Sequence, residues 1–250
     1  MKAIILAAGK GKRLATEKED LPKVLRVAGE KPLLMHVLEN LAYCEHIIIV
    51  VGFGKDKVMH AAGSGYSYAI QDKQLGTGHA VLAAEGLLDG YQGDVLVAFG
   101  DMPLIRGESF KEICKFHAKG KADCTLMTYV YPPGEEIPHY GRILRDGEGL
   151  FAGIREHPDC NPEERMIREV NVGVLVCHAP RMFECLKQVK CENAQKEYYL
   201  TDLPGAMREK GYVVATHPIE DVLQINGANT PEDLENIVSI LKQRKEGPYD

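Results

Sequence analysis

The stretch Ala3-Ile4-Ile5-Leu6-Ala7-Ala8-Gly9-Lys10-Gly11-Lys12-Arg13-Leu14 decides how the rest of the chain is read. Residues 3–8 are apolar, partly β-branched and too few for a helix, and they run straight into glycines. That is the pattern of a buried strand ending in a tight loop. Working outward, the same grammar repeats. Residues 32–42 carry Leu33, Leu34, Val37, Leu38 and Leu41 at helical spacing, and residues 46–51 form a second apolar strand. A helix over 55–62, a strand over 66–71, a helix over 78–88, a strand over 94–99 and a helix over 109–118 are expected next. Thr77 is placed to cap the helix over 78–88, whose apolar stripe is Val81, Ala84, Leu87 and Leu88. Strict β-α alternation specifies an α/β, Rossmann-like, mostly parallel sheet flanked by helices, with right-handed crossovers. Ligands of such sheets bind at the carboxyl ends of the strands.

The second half is less regular. Strands are expected over 124–131, 141–144, 150–155 and 170–177, and helices over 180–189 and 199–210. A late strand over 212–216 and a terminal helix over 231–244, with Pro231 in its first turn, complete the chain. No internal repeat, low-complexity segment or linker interrupts it. One mixed domain with an elaborated C-terminal half is the simplest reading.

Bulk properties narrow the function. A chain of 250 residues can bury a large core. The longest apolar runs fall far short of the ~20 residues of a membrane span. The N-terminal apolar run stops at Ala8 before Gly-Lys-Gly-Lys-Arg, too short for a signal peptide. The seven cysteines are odd in number and lack any Cys-x-x-Cys spacing, which points to free thiols in a reducing compartment. A cytoplasmic enzyme, bound neither to membrane nor to nucleic acid, is expected, since the net charge of −6 disfavours general nucleic-acid binding. Yet residues 1–31 carry +4 and the remainder −10. The positive charge surrounds the first glycine loop, where an anionic ligand needs it.

Three segments can carry chemistry. Gly9-Lys10-Gly11-Lys12-Arg13, with Leu21-Pro22-Lys23-Val24-Leu25 beyond it, is either an ordinary turn or a phosphate cradle, and the local charge favours the cradle. It is not a dinucleotide fingerprint, because Leu14 stands where the third glycine belongs, and it has no Gly-Lys-Ser/Thr of a Walker loop. Gln71-Asp72-Lys73-Gln74-Leu75-Gly76-Thr77-Gly78-His79 combines amides that can read a base edge with glycines that let a base approach; a capped tight turn, with His79 packing in the first helical turn, is the alternative. Phe99-Gly100-Asp101 puts a carboxylate at the end of a buried strand, either as a cap or as a ligand for a hard cation. Further polar, glycine-flanked clusters lie at 140–143, 156, 169–173, 197–202 and 226–229.

Together and in this order, these segments resemble the uridylyltransferase (pyrophosphorylase) domain of the bacterial bifunctional N-acetylglucosamine-1-phosphate uridylyltransferases, within the nucleotidyltransferase superfamily. The resemblance covers about residues 2–230 and rests on LAAGKGKR…PKVL, QLGTGHA, YGRI, EVNVGV and NAQKEYYLTD. It implies a nucleotide-diphospho-sugar transferase fold, with residues 1–120 as nucleotide half, 121–230 as sugar half and 231–250 as helix and tail. By resemblance, Leu6, Ala8, Gly9, Gln71, Gly76 and Thr77 belong to the nucleotide site, with Ala8, Gly9, Gln71 and Gly76 on the uracil, and Gly11, Arg13 and Lys23 face the triphosphate. Thr77, Gly141, Glu156, Asn171 and Thr201 hold the sugar phosphate, and Asp101 and Asn229 bind Mg²⁺. Arg13, Lys23 and Asp101 would be the catalytic set. The implied substrates are UTP and N-acetylglucosamine 1-phosphate. The alternatives are a sibling acting on glucose or glucosamine 1-phosphate with UTP or dTTP, or a non-catalytic nucleotide-sugar sensor. Three departures stand out: a longer charged loop at 16–20, Phe99 where tyrosine is common, and no hexapeptide repeat of an acetyltransferase β-helix. Oligomeric state stays open.

Overall fold

A computed structural model of the chain describes residues 1–11 and 21–246, with side chains through residue 244. Arg13 and the loop at 16–20 therefore lie outside the described residues. The chain begins with strand β1 (Lys2–Ala7), then a short hairpin of β2 (Val27–Ala28) and β3 (Lys31–Pro32), and helix α1 (Leu33–Asn40). Alternation continues through β4 (His46–Val51), α2 (Lys55–Ala62), β5 (Ser67–Ile70), α3 (Thr77–Leu82), β6 (Asp94–Phe99) and α4 (Gly107–Gly120). The second half supplies β7 (Cys124–Val130), β8 (Arg142–Arg145), β9 (Phe151–Arg155), α5 (Pro162–Arg165) and β10 (Glu169–His178). It closes with α6 (Ala179–Leu186), α7 (Leu203–Glu209), β11 (Val214–Pro218) and α8 (Pro231–Glu246).

The main sheet runs in the order β11-β7-β10-β6-β1-β4-β5, with β8 and β9 attached beside β10. β1, β4, β5 and β6 are parallel, as the alternation requires. β10 is antiparallel to both β6 and β7, and β11 is parallel to β7. The amino end of β10 therefore meets the carboxyl ends of its neighbours at one edge. The central strands β1, β4 and β6 are buried on both faces, which explains their unbroken apolar runs. Ile5, Ile49 and Leu96 face α1, α2 and α4; Ile4, Ile48 and Val97 face α3, α6 and α7.

Three expectations are corrected. The helix over 78–88 is broken: α3 ends at Leu82 and a 3₁₀ turn spans Glu85–Leu88. The tighter winding turns Leu87 outward, 41% exposed, while Val81, Ala84 and Leu88 stay buried. Thr77 is not a cap; the helix starts on it, after Gly76, and its hydroxyl accepts from the Leu200 N–H at 2.9 Å. The helix over 199–210 begins only at Leu203, after a 3₁₀ turn, with Pro204 in its first turn, where no N–H is needed. The hairpin at 27–32 and the one-turn α5 carry too few residues for periodicity to reveal. α8 is held by reciprocal bonds between Thr230 and Asp233, and it packs Ile237 and Ile240 on Ala28, Leu33 and Leu104. Among the described residues no helix is long and apolar enough to cross a membrane.

Candidate active site

The carboxyl edge of the parallel strands is shaped by backbone. Leu6 and Ala8 are buried, and they contribute through carbonyls that accept from Gly100 N–H (3.0 Å) and Phe53 N–H (3.1 Å). Gly11 has φ +65°, and a Cβ there would lie 2.5 Å from Lys23 Cβ. Only glycine both adopts that conformation and lets the Lys23 stem lie against the loop. Gln71 is buried and its amide nitrogen donates to Gly76 O (3.0 Å) and to His79 Nδ1 (3.1 Å). That bond places His79 in first-turn packing and makes Gln71 the brace of the Gly76 turn. Gly76, at φ +118°, would meet the Tyr198 carbonyl 2.5 Å from an added Cβ. The nucleotide-side turn and the 197–199 segment thus cross in near contact, fixed by Gly78 N–H donating to Tyr198 O at 2.8 Å.

At the centre lies a three-residue cluster from three distant parts of the chain. Lys23, on a 3₁₀ turn with Val24 and Leu25, forms an ion pair with Asp101 and donates to Asn229 Oδ1 at 2.9 Å. Asp101 follows β6. Asn229 is anchored by its N–H on the Asp233 carboxylate (2.9 Å), and its amide nitrogen faces Gly227 O, so its oxygen turns to the ammonium. The Ala228 N–H donates to Asp101 O at 3.2 Å, tying the two segments together. The fold therefore brings Asp101 and Asn229 together, and their oxygens converge on one cation, the Lys23 ammonium. A carboxylate and an amide oxygen are suited to a hard divalent ion that retains water and takes phosphate oxygens as further ligands. Among the described residues no cluster of three or more His, Cys, Asp or Glu offers a fuller metal cage.

The opposite wall is built from side chains. The Thr201 hydroxyl donates to Glu156 Oε1 at 2.8 Å. Burial pushes the Glu156 carboxyl above its ordinary range, the charge of Asp159 adds to this, and the Thr201 bond opposes it. Asn171 sits at the amino end of β10, where its side chain accepts from Gly173 N–H (3.2 Å) and its backbone N–H donates to Gly141 O (2.9 Å). The register of β10 shifts there, with Gly173 at φ +89° against the Phe99 ring. Gly141 is held in turn by Arg142, a fully buried guanidinium that donates to Pro138 O (3.0 Å) and Tyr140 O (2.5 Å). Burial lowers its pKa.

Lys23, Thr77, Asp101, Gly141, Glu156, Asn171, Thr201 and Asn229 line one cleft of about 390 Å³. Leu6, Ala8, Gly9, Gly11, Gln71 and Gly76 do not line it; they form the neighbouring edge over β1 and β5. Sequence reasoning missed His139 on the cleft wall, and it assigned no role to Gln195 and Tyr199 there or to Arg142, the clamp behind it. Gln195 and Tyr199 both stand in the quoted NAQKEYYLTD motif. His139 stacks on His157 with ring centres 4.0 Å apart, a pairing no local pattern announces.

The nucleotidyl transferase family matches this chain over residues 2–222. The chain belongs to that family. Among its relatives is the bifunctional protein GlmU of Limosilactobacillus fermentum, 39% identical over 244 residues, which take in 97% of this chain and 52% of the relative. The GlmU of Oceanobacillus iheyensis is 38% identical over the same shares. The chain thus spans about half the length of the curated relatives it matches. Two solved nucleotidyl transferase-like structures share the fold: a Bacillus anthracis protein described as a glucose-1-phosphate thymidylyltransferase (TM-score 0.77, 19% identity, 96% of this chain and 94% of that one) and a UDP-glucose pyrophosphorylase with UDP-glucose (0.74, 20%, 97% and 98%). The resemblance and the α/β fold read from the sequence are both borne out.

Proposed function

We propose that this nucleotidyl transferase moves a uridylyl group from UTP to N-acetylglucosamine 1-phosphate, giving UDP-N-acetylglucosamine and pyrophosphate. The observation that carries the reading is the single cleft in which the Lys23–Asp101–Asn229 cluster faces the Glu156–Thr201–Asn171–Gly141 wall, with the glycine loop beside Lys23. In this reading residues 1–120 bind nucleotide and 121–230 bind sugar, on one continuous sheet. Leu6, Ala8, Gly9, Gln71 and Gly76 shape the uridine edge, chiefly through backbone. Gly11, Arg13 and Lys23 face the phosphates, and Thr77, Gly141, Glu156, Asn171 and Thr201 face the sugar phosphate.

The nucleophile is a phosphate oxygen of the sugar phosphate. A phosphomonoester's second pKa is about 6, so it is already ionised near neutral pH and no general base is needed. Its oxygen attacks the α-phosphorus in line and the bond to the β-phosphate bridging oxygen breaks, releasing pyrophosphate. The protein's task is to bring two polyanions together and hold charge. Lys23 supplies a cation beside the glycine loop. Gly141 and Asn171 are backbone-locked to each other, so they can present donors to the sugar at fixed spacing. A Mg²⁺ ion held by Asp101 and Asn229 would neutralise phosphate charge. The seven free cysteines accord with a cytoplasmic setting.

The test is pyrophosphate release over a panel of UTP, dTTP, ATP and GTP against N-acetylglucosamine, glucosamine and glucose 1-phosphates. UTP with N-acetylglucosamine 1-phosphate should give the highest kcat/KM. A higher value for another pair would replace the substrate assignment, and no release with any pair would leave only a binding role.

A further inference from the structure

Asp101 and Asn229 are the proposed metal ligands, yet both already hold a cation, the ammonium of Lys23. We propose that Lys23 is a built-in placeholder in the metal site, and that a divalent ion takes its position only when nucleotide draws the ammonium away. This rests on the metal-site reading above and adds an order of events to it.

The geometry restricts what can move. The Lys23 stem is packed on Gly11, whose absent Cβ would lie 2.5, 3.0 and 3.3 Å from Lys23 Cβ, Cγ and Cδ. The anchored stem leaves the chain's tip as the part free to swing, and the glycine loop that would cradle phosphates lies beside that stem. The ion pair is also shielded, with the Lys23 and Asp101 side chains 15% and 19% exposed, so the attraction is less screened than at the open surface. With the ammonium in place, one carboxylate and one amide form a site of no net charge. A divalent ion gains little there until the ammonium leaves. A triphosphate changes both sides of the balance: it offers Lys23 new anionic partners and gives the metal additional oxygen ligands. Nucleotide and metal binding are then coupled, and reciprocally so.

Equilibrium dialysis with Mn²⁺, on correctly folded proteins checked by circular dichroism, tests this without turnover. Nucleotide-free wild type should bind Mn²⁺ weakly. Lys23→Gln should bind it about tenfold or more tightly, because a nearby positive charge is gone. Lys23→Arg, which keeps the charge, should stay weak, and adding Asp101→Asn to Lys23→Gln should abolish the gain. UTP should tighten Mn²⁺ binding to the wild type and narrow its gap to Lys23→Gln. The placeholder idea is overturned if Lys23→Gln binds nucleotide-free Mn²⁺ no more tightly than wild type. The metal-site reading itself fails, separately, if Asp101→Asn leaves Mn²⁺ binding in the presence of UTP unchanged.

Discussion

The side-chain wall of the cleft and the backbone wall of the edge beside it are built by different means. The wall beside the cleft, over β1 and β5, is made of backbone: buried Leu6 and Ala8, and Gly11 and Gly76 at positive φ, where the two glycines let Lys23 and Tyr198 lie close. The wall from β8, β9 and β10 is made of side chains, with Glu156 and Thr201 bonded to each other and Asn171 braced on a bulge. A wall of backbone imposes shape more than side-chain chemistry. A wall of bonded side chains selects, because a ligand that cannot replace those bonds leaves polar groups unpaired. The cation cluster stands where the two meet, and substitutions there should be the most damaging.

Asp101→Ala removes the only carboxylate of the junction's cation cluster and should lower kcat by about 10³ or more, the scale of losing several kcal/mol of charge stabilisation. Its Tm should fall only modestly, since the Lys23 ammonium keeps its bond to Asn229 Oδ1. Lys23→Ala should cost on the order of 10²–10³ in kcat, as for one preorganised charge donor. Steady-state pyrophosphate release reads both, and activity within threefold of wild type in either would remove the junction from the mechanism. On the side-chain wall, glucose 1-phosphate should fall below N-acetylglucosamine 1-phosphate by about 10² in kcat/KM, because Glu156 and Asn171 lose a partner. Equal values would show that this wall does not select. On the backbone wall, Gly11→Ala should reduce kcat about tenfold through displacement of Lys23, and destabilise by roughly 1–2 kcal/mol from the left-handed conformation alone. A mutant with wild-type kcat and Tm would mean that the loop yields.

The smallest effect concerns pH. Asp202 lies beside the selective wall; burial first, then the charges of Glu156 and Asp159, raise its pKa to about 6, while Arg155 pulls it down. A carboxyl raised by folding contributes stability below its unfolded value near 4 and loses that contribution as pH rises through about 6. Asp202→Asn should therefore gain about 2 °C in Tm over wild type at pH 8 and nothing at pH 4. Identical Tm differences at both pH values would show that Asp202 is not strained by its neighbours.

The contrast between the walls also decides what the sequence could tell. Strands β1, β4 and β6 were legible because burial on both faces leaves an apolar run with a glycine at its end. Asp101 was legible because a carboxylate closing such a run is conspicuous. Gly11, Gly76 and Gly141 stood out as punctuation, although not as contacts, since what each glycine admits comes from another segment of the chain: Lys23, Tyr198 and Ile154 respectively. Leu87 was misplaced because the helix tightens after Leu82, a change that apolar spacing does not mark. Thr77 reads as a cap by composition, and only the distant Leu200 N–H shows its hydroxyl employed elsewhere. Arg142 stood inside the YGRI motif, but its role was not legible, because the carbonyls of Pro138 and Tyr140 that satisfy a buried guanidinium leave no local pattern.

The reversed strand β10 has a consequence for how the molecule is made. Among the described residues β7 pairs only with β10 and β11, and β10 alone joins it to β6. A chain emerging from the ribosome can pair β1, β4, β5 and β6 as they appear, but β7 must wait unpartnered until residues 169–178 arrive and slot between it and β6. Long-range pairing of that kind is slow. Asn171 rides on that keystone strand, so the selective wall is finished late in synthesis, after the backbone that will face it has already set.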